Sequence, residues 1–208
     1  MFEFNGIRLD WLGHDGFKIM AHKVIYIDPF QLESVDEKAD MVLITHGHYD
    51  HCSIPDIKKV LKEDSVIVCH PDCVSKISSL GKEIRIAEIG KKILISDVKI
   101  EPVPAYNIGK DFHPKDNQWI GYIVEMDGTR VYHAGDTDLI PEMDHIRADV
   151  ALLPVSGTYV MTAEEAAKAI LKIKPKFAIP MHYGAIIGNK SDAERFKSLV
   201  TSAEVFIF

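Results

Sequence analysis

The chain has 208 residues, 47% of them apolar and 26% charged, the balance of an ordinary globular protein, and this length fits a single domain over 1–208 because domains commonly run to roughly 100–200 residues. A formal net charge of −7 and a pI near 5.8 speak against broad affinity for nucleic acid, which rests on a basic face. No run approaches the ~20 apolar residues of a membrane span.

The opening Met1-Phe2-Glu3-Phe4-Asn5-Gly6 lacks the basic-then-apolar order of a secretory signal, so a cytoplasmic protein without membrane association is expected. Cys52, Cys69 and Cys73 make an odd set with no C-x-x-C pair, which argues against a disulfide framework. Cys69 and Cys73 read as small apolar fillers. Cys52 directly follows His51 and has two readings, core packing or a place near the site.

In chain order, 7–12, 17–20 and 24–27 read as short strands of an antiparallel meander, separated by Gly13, Gly16 and His22-Lys23. Asp28-Pro29 ends the third. Residues 41–44 read as a buried strand, 55–61 as a short helix, 66–69 as a strand and 72–80 as a helix stopped by Gly81. A second run of strands follows at 84–86, 92–95 and 98–103, then 119–125 and 129–133 on either side of Asp127-Gly128, a dipeptide that favours a two-residue hairpin. After a buried strand at 150–154, Thr162 with Glu165 forms a capping box for a helix through Ile173. Next come a strand at 177–180, a helix capped at Ser191 with Glu194 at the box position, and a strand at 204–208. No solenoid period and no low-complexity linker interrupts this order.

Chemistry concentrates in Thr45-His46-Gly47-His48-Tyr49-Asp50-His51, directly after the apolar Met41-Val42-Leu43-Ile44. Neutral imidazole and carboxylate are the ligands of zinc, manganese or iron, and the ends of strands are where α/β proteins place their chemistry. Gly47 reads as a source of backbone freedom where bulk would obstruct the turn. His14, between Gly13 and Asp15-Gly16, is either a solvated turn residue or a proton donor beside the metals. His22, His70 and His145 lie outside the motifs and are expected to face solvent.

His46-x-His48-x-Asp50-His51 resembles the signature of the metallo-β-lactamase superfamily of metal-dependent hydrolases. Asp28-Pro29, Tyr132-His133-Ala134-Gly135-Asp136-Thr137 and Pro180-Met181-His182-Tyr183-Gly184 follow in the order that superfamily uses. Within it, Trp11-Leu12-Gly13-His14, Val103-Pro104-Ala105 and the His182 segment resemble the branch containing ascorbate-6-phosphate lactonase. Two runs of strands, each followed by helices, suggest an α/β layout with outer helices. The resemblance implies the specific form, an αββα sandwich of two packed mixed sheets.

The resemblance also implies a ligand set. His46 and His48 would share one metal and Asp50, His51 and His182 a second, with Asp136 as bridge and Asp28 orienting the loop. The family usually has a histidine at or near Asn107, and here that histidine is missing. His113 is the natural replacement, and Asn107 itself is the alternative. His133 alternates away from Asp136 and reads as core or support, while Asp138 reads as shaping the same loop.

The implied reaction is hydrolysis of a small ester, lactone or phosphoester by hydroxide generated on two divalent metals, zinc first, with manganese or iron as alternatives. Asp50 is the candidate for orienting the nucleophile. His14, Tyr183 or water would protonate the leaving group. If the loop holding Lys110, Lys115 and Asn117 closes over the site, its lysines would favour an anionic small-molecule substrate. A metal-dependent nuclease acting on RNA or DNA is the competing reading, and a redox module on the same fold is a third. A homo-oligomer is compatible with all of them.

Overall fold

The structure, a computed structural model, describes residues 1–208 and comprises two compact units, Met1–Glu88 and Ile89–Phe208. The first unit holds one seven-stranded sheet in the order β1 (Phe2–Phe4), β2 (Ile7–Gly13), β3 (Gly16–Met20), β4 (Val24–Ile27), β5 (Ala39–Ile44), β6 (Leu61–Cys69) and β7 (Glu83–Ile86). Strands β2 to β4 form the expected antiparallel meander, β1 extends it by one strand that was not expected, and β5 to β7 add on in parallel. The parallel strands are joined by α1 (Ile54–Val60) and α2 (Val74–Ile77).

The second unit repeats this connectivity. Its sheet runs β8 (Ile93–Ile95), β9 (Val98–Pro104), β10 (Ile120–Met126), β11 (Thr129–His133), β12 (Val150–Pro154), β13 (Phe177–Met181) and β14 (Glu204–Val205). Four strands again pair antiparallel and the remaining three parallel. Here α3 (Ala163–Ile173) and α4 (Lys190–Leu199) make the crossovers. A parallel pair needs such a connection because a tight hairpin can only reverse the chain.

Apolar sequence explains where each core lies. Val42, Ile44, Ile67 and Cys69 on β5 and β6 pack with Ile57, Val60 and Ile77 from the covering helices. All three cysteines are free and buried in this cluster, as the filler reading requires. In the second unit α3 turns Ala166, Ala169, Ile170 and Ile173 inward, a helical spacing that leaves its charged residues in water. Its Thr162–Glu165 capping box forms as expected.

Several local expectations shift. The helix expected over 72–80 is three short pieces, a 3-10 turn Pro71–Cys73, α2 and a second 3-10 turn Ser78–Leu80, closed by Gly81 at φ +65°. Helix α4 is capped by Asn189 with Asp192, not by Ser191 with Glu194. Asn189 accepts the Ser191 N–H at 2.8 Å, and Asp192 returns the bond to Asn189 N at 2.8 Å, so an asparagine two residues earlier satisfies the first-turn donors. β14 ends at Val205, short of the expected 208. No helix is long and apolar enough to cross a membrane.

Candidate metal centre

In the first unit a set of candidate ligands lies at the ends of two neighbouring parallel strands. Asp28 follows β4 and Thr45 follows β5. Asp28 is fully buried and adopts φ +44°, a conformation that aspartate tolerates better than most residues. Its Oδ1 accepts the Thr45 N–H at 2.9 Å, while Oδ2 accepts the Thr45 hydroxyl at 2.6 Å and His51 Nδ1 at 2.8 Å. The threonine hydroxyl has one proton and has given it to Asp28, so at 3.0 Å from His46 Nδ1 it must accept. Both imidazoles therefore carry their proton on Nδ1, and both Nε2 atoms offer a lone pair.

Those lone pairs point at other candidate ligands. His46 Nε2 lies 3.0 Å from His48 Nδ1. His51 Nε2 lies 3.6 Å from carboxylate oxygens of both Asp15 and Asp50. His14, at φ +50°, brings its Nε2 to 3.0 Å from Asp50 Oδ2, and the ligand atoms of His14, Asp15 and His51 fall within 4.8 Å of one another. His14 is buried beside the other ligands and is not a solvated turn residue. Asp15, also buried, is the residue that sequence reading passed over. Its signal was its position between His14 and Gly16.

At Gly47 it is the absence of bulk that matters, as expected, and not an unusual backbone conformation. This glycine is not in the left-handed region. A Cβ there would lie 2.8 Å from Asp72 Oδ2, the atom that accepts the Gly47 N–H at 3.1 Å. Lys76 donates to the Gly47 carbonyl. Bare backbone is needed because a carboxylate grips the loop at close range. His70, expected in solvent, is buried with its Nδ1 2.8 Å from Asp72 Oδ1, so it holds the gripping residue. His22 and His145 are exposed as expected.

The second unit assembles its own set. Asp136 follows β11 after Gly135, whose φ is +62° and whose N–H donates to His133 Nδ1 at 3.2 Å. His133 is buried and supports this turn, matching the alternation reading. His182 leaves β13 at φ +59°, with Nδ1 2.7 Å from Ser156 Oγ and Nε2 3.4 Å from Asp136 Oδ2. His113 is buried, and its Nε2 lies 3.1 Å from the same Asp136 oxygen.

Asn107 and His113 are partners. The Asn107 amide donates to Tyr159 O at 2.8 Å, which fixes its carbonyl to accept His113 N at 3.0 Å. His113 Nδ1 faces two acceptors, Asn107 Oδ1 at 3.1 Å and Tyr159 O at 3.2 Å, so it too carries the Nδ1 proton. Its Nε2 lone pair faces a carboxylate oxygen, a repulsive arrangement until a proton or a metal cation lies between them. Asn107 is therefore placed to orient the imidazole. Asp138 shapes the loop as expected, accepting from Ile108 N at 2.8 Å and Lys110 Nζ at 2.6 Å.

The donor set fits a divalent ion of the zinc, manganese or iron kind. Within each unit imidazole Nε2 atoms approach carboxylates, and Nδ1 atoms are held by protein groups, the usual way such ligands are oriented. The loop lysines are committed elsewhere. Lys110 also donates to Val160 O at 2.7 Å, and Lys115 lies 3.1 Å from the Tyr106 hydroxyl and 3.2 Å from Glu142. Burial raises the Tyr183 phenol above its ordinary value, so it keeps its proton at neutral pH.

Comparison with known proteins places the chain in a family. Residues 8–182 match the model of a beta-lactamase superfamily domain. A UPF0173 metal-dependent hydrolase of Thermococcus onnurineus is 34% identical, with 97% of this chain and 96% of that protein covered. A solved protein of Parabacteroides distasonis described as a metal-dependent hydrolase aligns with a TM-score of 0.86 at 34% identity, covering 97% of this chain and 92% of that one. A metallo hydrolase of the hyperthermophilic archaeon Ignicoccus hospitalis aligns at 0.78 with 27% identity, over 97% of this chain and 94% of its own.

Proposed function

The chain belongs to the β-lactamase superfamily, has that superfamily's α/β fold and is a metal-dependent hydrolase, and on this premise we propose that it uses two divalent ions, zinc by preference, to hydrolyse a small ester, lactone or phosphoester. His46, His48 and His113 would hold the first ion and Asp50, His51 and His182 the second, with Asp136 serving both. The motifs at Trp11–His14 and around His182 favour the branch that contains ascorbate-6-phosphate lactonase.

One observation carries the metal reading. In His46, His51 and His113 the Nδ1 proton is tied to Thr45, Asp28 and Asn107–Tyr159 respectively, which leaves three Nε2 lone pairs aimed at other ligand-type atoms. When bound, divalent ions lower the pKa of water and polarise a carbonyl or phosphoryl oxygen. The protein's own part is positional. Asp28, Asn107 and Ser156 set imidazole orientation, and Asp50, in contact with His14 at 3.0 Å, is placed to hold a proton taken from the nucleophile. His14 can then pass a proton to the leaving group, a role in which it is favoured over Tyr183 because burial makes the phenol a poorer acid.

The test is metal analysis of gently purified protein together with a screen of ester, lactone and phosphoester substrates. Two equivalents of metal in the wild type, with at least one of them and hydrolysis lost in His182→Ala while circular dichroism is retained, are the expected outcome. Wild-type metal content in His182→Ala would remove this residue from the ligand set.

A further inference from the structure

A cleft of about 600 Å³ lies wholly within the second unit, inside the size range of small-molecule pockets. Its apolar walls are Ile89, Pro104, Ala105, Tyr106 and Trp119. Ile89 is 41% exposed, so a large aliphatic side chain at this wall is left facing water. The cleft adjoins one of the candidate ligands. The Trp119 indole packs edge-on against the His113 ring, with centroids 5.5 Å apart.

The polar rim has a definite sign. Lys115, Asp116 and Glu142 line it, one positive charge against two negative. The Lys115 ammonium lies between the Tyr106 hydroxyl and Glu142, 3.1 and 3.2 Å away, and 4.5 Å above the Tyr106 ring. An entering anion would meet a carboxylate excess and would have to draw this lysine off Glu142. Lys110 is no substitute, because Asp138 and the Val160 carbonyl already occupy it. An uncharged apolar group has only to displace water from the walls.

We propose that this cleft receives an uncharged, apolar acyl or ring substituent of the substrate and makes the enzyme select neutral esters or lactones over phosphorylated or carboxylated ones, with Trp119 and Ile89 as specificity-determining residues. The assignment rests on the ester or lactone reading of the metal centre. It narrows that reading by removing anionic substrates, the phosphorylated lactone of the resembling branch among them, which the two loop lysines would otherwise have suggested.

The test compares p-nitrophenyl acetate, p-nitrophenyl phenylacetate and the carboxylated mono-p-nitrophenyl glutarate on metal-loaded protein. Burying a ring corresponds to roughly tenfold or more in kcat/KM, so phenylacetate is expected to exceed both other esters by that factor through KM. In Ile89→Asp, a change at a half-exposed side chain, the advantage over acetate should vanish. Preference for glutarate, or an undiminished phenylacetate advantage in Ile89→Asp, overturns the proposal.

If the wild type turns over none of these esters, the substrate reading of the metal centre fails and the cleft is judged by binding alone. Titration with benzamide should then give a saturable shift of indole emission that Trp119→Phe abolishes and that benzoate produces only at much higher concentration. No saturable shift, or equal response to benzoate, overturns the cleft assignment.

Discussion

Replacing Asp28 by asparagine would test whether the first set of ligands is held in one tautomer by a single buried carboxylate. Asparagine tolerates the φ of +44° at this position, so backbone strain stays constant and only hydrogen bonding changes. One amide oxygen can still accept the Thr45 N–H. The other position becomes an N–H that faces two donors, the Thr45 hydroxyl at 2.6 Å and His51 Nδ1 at 2.8 Å. The hydroxyl can rotate, but His51 escapes the clash only by moving its proton to Nε2, which removes the lone pair a metal needs. Two hydrogen bonds to a charged acceptor contribute about 1.5–3 kcal/mol each. With part recovered by rotation, the metal-free protein should lose about 2–4 kcal/mol, read by urea denaturation. Loss of a group that orients a ligand typically weakens metal binding by roughly 10–100-fold, measurable by competition with a chromophoric chelator. Asp28→Asn protein that binds metal as tightly as the wild type would refute the tautomer argument.

Three further outcomes follow from the geometry. His113→Ala should lower occupancy of one metal equivalent selectively, whereas Asn107→Ala should weaken that site by a smaller factor because the imidazole survives without its support; equal two-metal occupancy in both variants, by mass spectrometry under native conditions, would reject the role of either. Asp136→Asn should reduce turnover more than it reduces metal retention, since an amide lacks the charge and second equivalent oxygen of a bridging carboxylate, and full activity with both metals bound would sink that role. Asp56 should govern acid stability: burial would push its carboxyl up, but hydrogen bonds from Ser53, Lys59, Leu32 N and Gln31 N outweigh it and hold the pKa below the ordinary 3.8. A depressed folded value contributes stability above the unfolded pKa and loses it as pH falls through the folded one, so Asp56→Asn should be less stable than wild type at pH 7 and converge with it below about pH 3.8; a pH-independent difference in denaturation midpoint would contradict this.

The sequence alone determined the outline of both sheets and the identity of most candidate ligands. Apolar runs such as Met41–Ile44 and 150–154, short and rich in branched side chains, favour buried strands, which they form, and a cluster like His46 to His51 is too dense in ligand-type side chains to be incidental. The Asp127-Gly128 turn and the Thr162–Glu165 box are local chemistry, decided by residues within a few positions of each other. Tertiary structure alone decided what depends on residues distant in the chain. Asp15 counts because folding buries it against His51, 36 positions later, and its place between His14 and Gly16 could not by itself say so. Whether Asn107 replaces or supports the missing histidine turned on Tyr159, whose carbonyl fixes the amide from 52 residues away. That Asp72 is the group closing on Gly47, and that Asp138 engages Lys110, are likewise decided by residues more than twenty positions away. Pairing of a buried polar group with a distant partner follows from the folded path of the chain, and local propensity carries no record of it.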